Sequence, residues 1–287
     1  AVRVEADEPP AGMPIAADHV ELFDDLNLGC AIRHVIASPA DVPAVAHVYR
    51  GPDMGLRFSF AHRMEQVQSF AAENGAAVAA WSAFGMDAAV WMCGVEGAIT
   101  LAKRQPHAFA QLMEIIAAAD YARTELAVTT PGIDIVVQRG WHASAELWSL
   151  GTFNQFIYPH LRKLTDLVHR HGKRLAYVMT SGVALFGPRL AEAGVDLLHF
   201  ADPVQDALPM DVARKLASRV ALAGGVSATT LADGNHPQIA AQATAAIEAL
   251  GPSGRFILQP VDLLTPQTPW ESVDAMLAAW RNATVPA

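Results

Sequence analysis

The sequence has few positive charges and few cysteines, and each shortage excludes a class of protein. Its 20 Lys and Arg residues are outnumbered by 29 Asp and Glu, so the net charge of −9 leaves no basic face for a nucleic acid. Its 2 cysteines, Cys30 and Cys93, have neither a paired metal-site spacing nor the density of a disulfide framework. The opening residues are acidic and lack the apolar core of a signal peptide, so we expect a cytoplasmic protein.

Two kinds of motif are also missing. No apolar run is followed by a glycine-rich phosphate loop, which argues against an open nucleotide-binding sheet. The most apolar stretch, Gly75 to Val95, carries only the charge of Asp87, but Ser82 and Gly85 interrupt it and a charge is costly in lipid. We therefore predict a strand, a loop and a helix in this stretch, and no membrane span.

Short apolar runs alternate with helical segments through most of the chain. Apolar residues make up 52% of the sequence and charged residues 17%, which predicts a well-filled core. Short runs between helices are typical of parallel strands covered on both faces. The last helix is predicted to have Thr268 as its cap and Pro269 at its first position, and to bury Trp270 and Trp280. The strands are predicted at 76–84, 133–138, 174–179, 195–200, 220–223 and 255–259.

This alternation predicts an α/β fold, a (β/α)8 TIM-type barrel in a single domain. Residues 1–75 contain many prolines, and we expect them to form an irregular N-terminal segment that contributes to the barrel. Residues 76–287 would form its main portion. Such barrels place their chemistry at the carboxyl ends of the strands. An open doubly wound sheet is the alternative.

Polar and aromatic side chains follow several of the predicted strands. Asp202 and Asp262 are candidate acids or bases, although each also suits a loop before a proline. His142 can move a proton near neutral pH, whereas His199 lies inside a strand and is expected to be a hydrogen-bonded core histidine. Amides and hydroxyls can bond a substrate, glycines admit a flat ring, and aromatic rings stack on it. The candidate substrate contacts are Gln138, Trp141, Thr180, Ser181, Gly224, Gly225, Gln259, Trp81 and Phe84.

Several short motifs follow one another from about Ile32 to the C-terminal helix. They are Gly94-Val-Glu-Gly97, Phe153-x-x-Phe156-x-x-Pro159, His169-x-His171-Gly172-Lys173, Glu192-Ala-Gly-Val-Asp196, Gly224-Gly225-Val226 and Gly254-Arg-Phe-Ile-Leu258. In this order and spacing the chain resembles the uroporphyrinogen decarboxylase superfamily, including its corrinoid methyltransferase branch. The resemblance implies a TIM-type barrel that carries out either methyl transfer or decarboxylation.

The chain departs from this family at the zinc motif. Zinc-dependent methyltransferases of the family look like His-x-Cys-Gly where this chain has Met179-Thr-Ser181-Gly182, and a further Cys aligns near Asp262. Zinc needs imidazole and thiolate ligands, so no zinc is expected. A thiol acceptor then loses its usual activation. Members without zinc resemble enzymes that move a methyl group between a corrinoid and tetrahydrofolate.

The resemblance therefore implies zinc-independent methyl transfer between a corrinoid (cobalamin), free or on a partner corrinoid protein, and a tetrahydrofolate-like acceptor. Gln138, Asp202 and Asp262 would hold the acceptor, and a carboxylate or His142 would handle the proton. Decarboxylation of a porphyrinogen or a smaller carboxylic acid is the alternative, although only Arg139 follows a strand to hold carboxylates. A non-catalytic subunit that binds a corrinoid protein is the further alternative.

Overall fold

The computed structural model describes most of the chain from residue 33 onward, together with two short strands before it. Two of the candidate site residues, Thr180 and Asp202, lie outside the described part. The described residues are 20–22, 29–31, 33–179, 181–201, 209–262, 264–265 and 267–283.

Strands and helices alternate along the chain from residue 79. The strands are β1 (Val20–Leu22), β2 (Gly29–Ala31), β3 (Ala79–Ala83), β4 (Ile135–Arg139), β5 (Arg174–Val178), β6 (Leu197–Ala201), β7 (Ala221–Ser227) and β8 (Phe256–Val261). The helices are α1 (Val45–Val48), α2 (Met54–Asn74), α3 (Gly85–Cys93), α4 (Val95–Arg104), α5 (Pro106–Thr129), α6 (Leu150–Thr152), α7 (Tyr158–Arg170), α8 (Val183–Ala193), α9 (Met210–Ala217), α10 (Ala228–Ala232), α11 (His236–Leu250) and α12 (Trp270–Asn282). All six strands predicted from the apolar runs are present.

The chain divides into two compact units. The first contains the described residues of Ala1–His142 and Asn154–Lys173, and the second those of Ala143–Phe153 and Arg174–Ala287. The single domain predicted from the sequence, with its boundary at residue 75, stays a prediction. In the first unit, residues up to 75 include the 21-residue helix α2. This helix begins where the Asp53 carboxylate accepts the backbone N–H of Leu56 at 2.7 Å.

The first unit is built around the parallel pair of β3 and β4. Ala79 lies opposite Ile135, and Trp81 opposite Val137. Helix α5 contacts β3 and buries apolar residues spaced three and four apart, as one face of a helix requires. These fully or almost fully buried residues are Phe109, Leu112, Ile116 and Ala119.

In the second unit, β5, β6, β7 and β8 pair in chain order, and every pair is parallel. Strand β7 is longer than predicted. The run expected to end at residue 223 continues to Ser227, so Gly224 and Gly225 lie inside the strand, opposite Leu258 and Gln259 of β8. The glycines do not end the strand because its backbone remains paired with β8 through both of them.

The sequence-based interpretation of the last helix is wrong in two respects. Helix α12 begins at Trp270, so Pro269 occupies the cap position and Thr268 does not cap the helix. The helix also turns a different face inward. Trp270 and Trp280 are 74% and 55% exposed, whereas Ser272 and Met276 are buried.

The apolar stretch from Gly75 to Val95 forms a strand and a helix, as predicted. Helix α3 follows β3 almost directly and ends at Gly94, whose φ of 71° separates it from α4. No helix in the described ranges is long and apolar enough to cross a membrane.

We expect that replacing Gly225 by Ala destabilises the second unit. Its φ is +108°, and an added Cβ would lie 2.9 Å from the Ala246 Cβ. Backbone strain and overpacking together predict a loss of about 2–4 kcal/mol in the free energy of unfolding, measured by urea denaturation. Gly254→Ala is the matched control, because its φ is +64° but nothing lies within 4 Å. It should lose only about 1 kcal/mol. Equal losses would show that crowding at β7 is unimportant.

Candidate functional site

Side chains alternate between the two faces of β3 and β4, and this alternation decides which residues can meet. Ser82 faces the helices, because its Oγ lies 2.8 Å from Oγ1 of Thr124 in α5. Its neighbour Trp81 faces the other way and is 53% exposed. In β4, Gln138 lies on the helix side, and Arg139 lies on the same side as Trp81. The face that carries Trp81 and Arg139 is the open one, and we call it the open face.

A fully buried carboxylate, Asp87 in the first turn of α3, organises the residues that follow β4. It accepts the backbone N–H groups of His142 at 2.8 Å and Trp141 at 3.3 Å. His142 donates to Oδ1 and Trp141 to Oδ2, and the Nε atom of Arg139 lies 3.0 Å from Oδ2. Since a buried charge must be paired and hydrogen-bonded, Asp87 ties this loop to α3.

The Arg139 guanidinium is enclosed by aromatic rings. Its Cζ lies 3.6 Å from the centre of the Trp141 ring and 4.7 Å from that of Trp91. Trp81 contacts Trp141 edge to face, with 6.5 Å between ring centres. Phe84 contacts Trp91 at 5.5 Å. Of the three aromatic residues predicted to contact substrate, Trp141 stacks on the cation, and Trp81 and Phe84 contact the two rings that do so. Sequence reasoning considered Arg139 only as a carboxylate ligand.

His142 presents one ring nitrogen to Asp87 and shields it from solvent. Its Nδ1 lies 3.6 Å from the same Asp87 oxygen that accepts the His142 backbone N–H. The Nδ1 atom is buried, although 33% of the side chain is exposed. The ring is thus partly open to solvent while Nδ1 is covered. This arrangement suits proton transfer at Nε2.

A second buried carboxylate, Asp120 in α5, holds the turn between β3 and α3. It accepts the backbone N–H groups of Phe84 at 3.0 Å and Gly85 at 2.9 Å. The Tyr49 hydroxyl donates to it at 2.8 Å, and Arg123 lies 3.2 Å away. Burial raises the pKa of the Asp120 carboxyl, and these four partners oppose that rise. Asp120 thereby fixes the point where β3 passes into the helix that carries Asp87.

Gln138 lies beneath α5 and α7 and not on the open face. It is 5% exposed, and its Oε1 has no hydrogen-bond partner among the described residues. It borders a cavity of about 20 Å³ shared with Asp120, Tyr121 and His160. A cavity of this size holds about one water molecule, which would complete the hydrogen bonding of the amide.

In the second unit, Gln259 of β8 reaches across β7 to His199 of β6. The Gln259 Nε2 and His199 Nδ1 atoms are 3.1 Å apart. Ala223, Gly224 and Gly225 of β7 have little or no side chain to separate them. Burial lowers the pKa of His199. His199 is therefore a hydrogen-bonded histidine within a strand, as expected from the sequence.

Two of the positions that correspond to the zinc motif carry side chains that are not among the usual zinc ligands. Met179 is fully buried, and its thioether replaces an imidazole. Ser181 is 9% exposed, and its Oγ has no partner among the described residues. Asp262 follows β8 with a φ of 64°, a conformation that side chains rarely adopt. No group of three His, Cys, Asp or Glu residues arranged to hold a metal occurs in the described part of the chain.

Sequence reasoning missed Asp87 and Asp120 as site residues. Asp87 was considered only as a charge that opposes membrane insertion. A single carboxylate in an otherwise apolar stretch is itself a signal, because a charge buried in a core requires partners. The sequence could not show that these partners are Arg139 and His142, which lie far along the chain.

Parallel strands that alternate with helices, with polar side chains gathered after β4, define an α/β protein of the TIM-type barrel class. More particularly, the chain belongs to the uroporphyrinogen decarboxylase (URO-D) family, whose model matches residues 32–283. The predicted family and fold class are confirmed.

Two methanogen proteins resemble this chain. It is 26% identical over 200 residues to the methylcobamide:CoM methyltransferase MtaA of Methanosarcina barkeri. The match covers 65% of this chain and 56% of that protein, so the chain spans little more than half of this curated relative. A solved methyltransferase structure from Methanosarcina mazei matches 91% of this chain and 74% of its own, with a TM-score of 0.65 and 20% identity. This second likeness supports the fold alone.

We expect that Arg139→Met destabilises the protein, because it leaves the Asp87 charge buried without its cation. The expected loss is about 3 kcal/mol in the free energy of unfolding, measured by denaturant titration. Arg174→Met is the matched control. Arg174 also pairs with an aspartate, Asp196, at 2.9 Å, but its side chain is 71% exposed. It should lose less than about 1 kcal/mol. A loss at Arg139 no larger than at Arg174 would contradict the central role of Asp87.

His199 should make the protein less stable as the pH falls. Because burial lowers its pKa in the folded state, the unfolded chain binds its proton more readily. Stability is therefore full above the unfolded pKa of about 6.5 and declines as pH drops below that value. In urea titrations between pH 7.5 and roughly pH 5, His199→Gln should show a weaker pH dependence than the wild type. The exposed His62 gives the control, and a His62→Gln variant should retain the wild-type dependence.

Proposed function

We propose that this protein is a zinc-independent methyltransferase that moves a methyl group between a corrinoid and a tetrahydrofolate-like acceptor. The observation that supports the corrinoid part of the proposal is the alignment with a methylcobamide:CoM methyltransferase, within a family match that extends over residues 32–283. The acceptor is proposed from the side chains at the zinc-motif positions. The corrinoid is a substrate here, either free or carried by a partner corrinoid protein.

The engagement of Arg139 favours methyl transfer over decarboxylation. A substrate with several carboxylates requires converging arginines. Arg139 already lies against the buried Asp87 and is stacked on Trp141 and Trp91. Its charge is therefore offset within the protein, and a substrate carboxylate would compete with Asp87 for it.

The chemistry of the zinc-motif positions favours an acceptor that needs no metal-bound thiolate. Met179 and Ser181 offer a thioether and a hydroxyl in place of an imidazole and a thiolate. A folate-type amine needs only proton management and hydrogen bonds to its ring. In the first unit, we assign stacking on the ring to Trp81, which is 53% exposed, and proton transfer to His142.

The remaining proposed acceptor contacts lie in the second unit and after its strands. Gln259 and the glycines of β7 remain the candidate ring contacts predicted from the sequence, and Asp202 and Asp262 remain the candidate carboxylates. Gln138, proposed from the sequence as an acceptor ligand, lies under the helices. We therefore propose that Gln138 has a structural role near the turn that follows β3 and does not contact the acceptor.

The test is anaerobic absorbance spectroscopy of the protein with methylcobalamin and tetrahydrofolate. We expect the methylcobalamin spectrum to convert to that of cob(I)alamin while methyltetrahydrofolate forms. The double variant Asp202→Asn with Asp262→Asn should lower kcat by about a hundredfold or more, since it removes the two carboxylates proposed to hold the acceptor.

Asp274→Asn, at an exposed position of α12, is the control and should leave the rate unchanged. Full activity in the double variant would remove both aspartates from the mechanism. Turnover of uroporphyrinogen without any methyl transfer would overturn the proposed function in favour of decarboxylation.

A further inference from the structure

The Asp87–His142 contact has the geometry of a carboxylate that orients an imidazole. One carboxylate oxygen accepts the His142 backbone N–H at 2.8 Å and faces its ring Nδ1 at 3.6 Å. The backbone bond fixes the residue and the carboxylate relative to each other. At 3.6 Å the two atoms are beyond hydrogen-bonding distance. Catalytic contacts of this kind are often long without substrate and tighten when it binds.

Asp87 is also held in place from other directions. Its second oxygen accepts the Trp141 backbone N–H at 3.3 Å and forms an ion pair with Arg139, whose Nε lies 3.0 Å away. The side chain is fully buried, so water does not compete for its oxygens. A carboxylate with this many fixed donors keeps one orientation, and a partner imidazole then keeps one tautomer.

Resting on the proposed function, we propose that Asp87 and His142 form a metal-free acid–base pair that takes the proton from an X–H methyl acceptor. Asp87 is the positioning residue and holds His142 as the Nδ1–H tautomer. In that tautomer the other ring nitrogen, Nε2, carries the lone pair and is the proton acceptor. The pair supplies the deprotonation that the zinc-motif positions of this chain, Met179 and Ser181, have no ligands to supply through a metal.

The step balances in atoms and electrons. The acceptor X–H loses its proton to His142 Nε2 as the lone pair on X forms a bond to the methyl carbon. The carbon–cobalt bond breaks, and its electron pair stays on cobalt, which passes from Co(III) to Co(I). The products are X–CH₃, the reduced corrinoid and an imidazolium stabilised by Asp87. An amine and a thiol both satisfy this chemistry, and separate assays distinguish them.

The first experiment measures the tautomer of His142 in the wild-type protein. Histidine labelled with ¹⁵N is observed by NMR at a pH where the rings are neutral, and the His142 signals are assigned by their loss in His142→Gln. We expect a protonated Nδ1, which reverses the preference of imidazole in water. His62 is an internal control, because its Nδ1 also lies 3.6 Å from a carboxylate, that of Glu65, but its side chain is 69% exposed. It should keep the Nε2–H form. A protonated Nε2 in His142 would overturn the proposal.

The second experiment separates positioning from a purely structural role. Asp87→Asn should reverse the tautomer of His142 and lower kcat by about a hundredfold or more, while KM changes little. His142→Ala should lose as much and recover partly with added imidazole. Both variants are assayed with methylcobalamin against tetrahydrofolate and against a simple thiol. If Asp87→Asn fails to fold, the wild-type tautomer and the imidazole rescue still decide the matter.

The outcomes distinguish this inference from the proposed function. Wild-type methyl transfer with an unchanged kcat in His142→Ala would overturn the acid–base pair and leave the methyltransferase proposal intact. If the wild type has Nδ1–H at His142 but transfers no methyl group to either acceptor, the proposed function is overturned. The methyl acceptor X–H is then also wrong as the source of the proton.

Discussion

The charge of Asp87 has to be neutralised in a place that water does not reach. Everything around the end of β4 follows from this requirement. The guanidinium of Arg139 supplies the opposite charge, two backbone N–H groups supply further donors, and the aromatic rings exclude the solvent that would weaken these bonds. Removing any one of these partners leaves the buried Asp87 carboxylate short of a counter-charge or a hydrogen-bond donor, which destabilises the fold. The loop from Arg139 to His142 thus has one favourable arrangement, which also sets the position of the His142 ring.

The two buried carboxylates of the first unit act in sequence along the chain. Asp120 binds the two backbone N–H groups of the turn that leaves β3, and Asp87 lies just beyond that turn, in the first turn of α3. A displacement at Asp120 would therefore move Asp87, and through it the residues after β4. Asp120 binds the residues that follow β3, and Asp87 binds the residues that follow β4. The geometry of the candidate site therefore depends on the pairing of β3 with β4.

The strands could be predicted because buried parallel strands are short apolar runs, and all six were present. Their ends were less predictable. Gly224 and Gly225 resemble a terminator, yet hydrogen bonds from β8 continue through them, and such pairing depends on a neighbour that local sequence does not reveal. His142 was found from its position after a strand. The sequence did not show which of Gln138 and Arg139 faces the candidate site. Adjacent strand residues face opposite sides, and the register of the strand was unknown. The family could be recognised from motif order, whereas the acceptor depends on contacts that motif order does not encode.

The stacking of Arg139 on indole rings gives the candidate site a built-in optical reporter. Trp141 is in contact with a cation and with the edge of Trp81, and Trp91 lies beside the same guanidinium. Indole emission responds to nearby charge and to water, and Trp81 and Trp91 remain 53% and 41% exposed. A molecule seated on this face would displace water from these rings and alter their emission. Binding at the face can therefore be followed by the protein's own fluorescence, without an attached dye and without catalytic turnover.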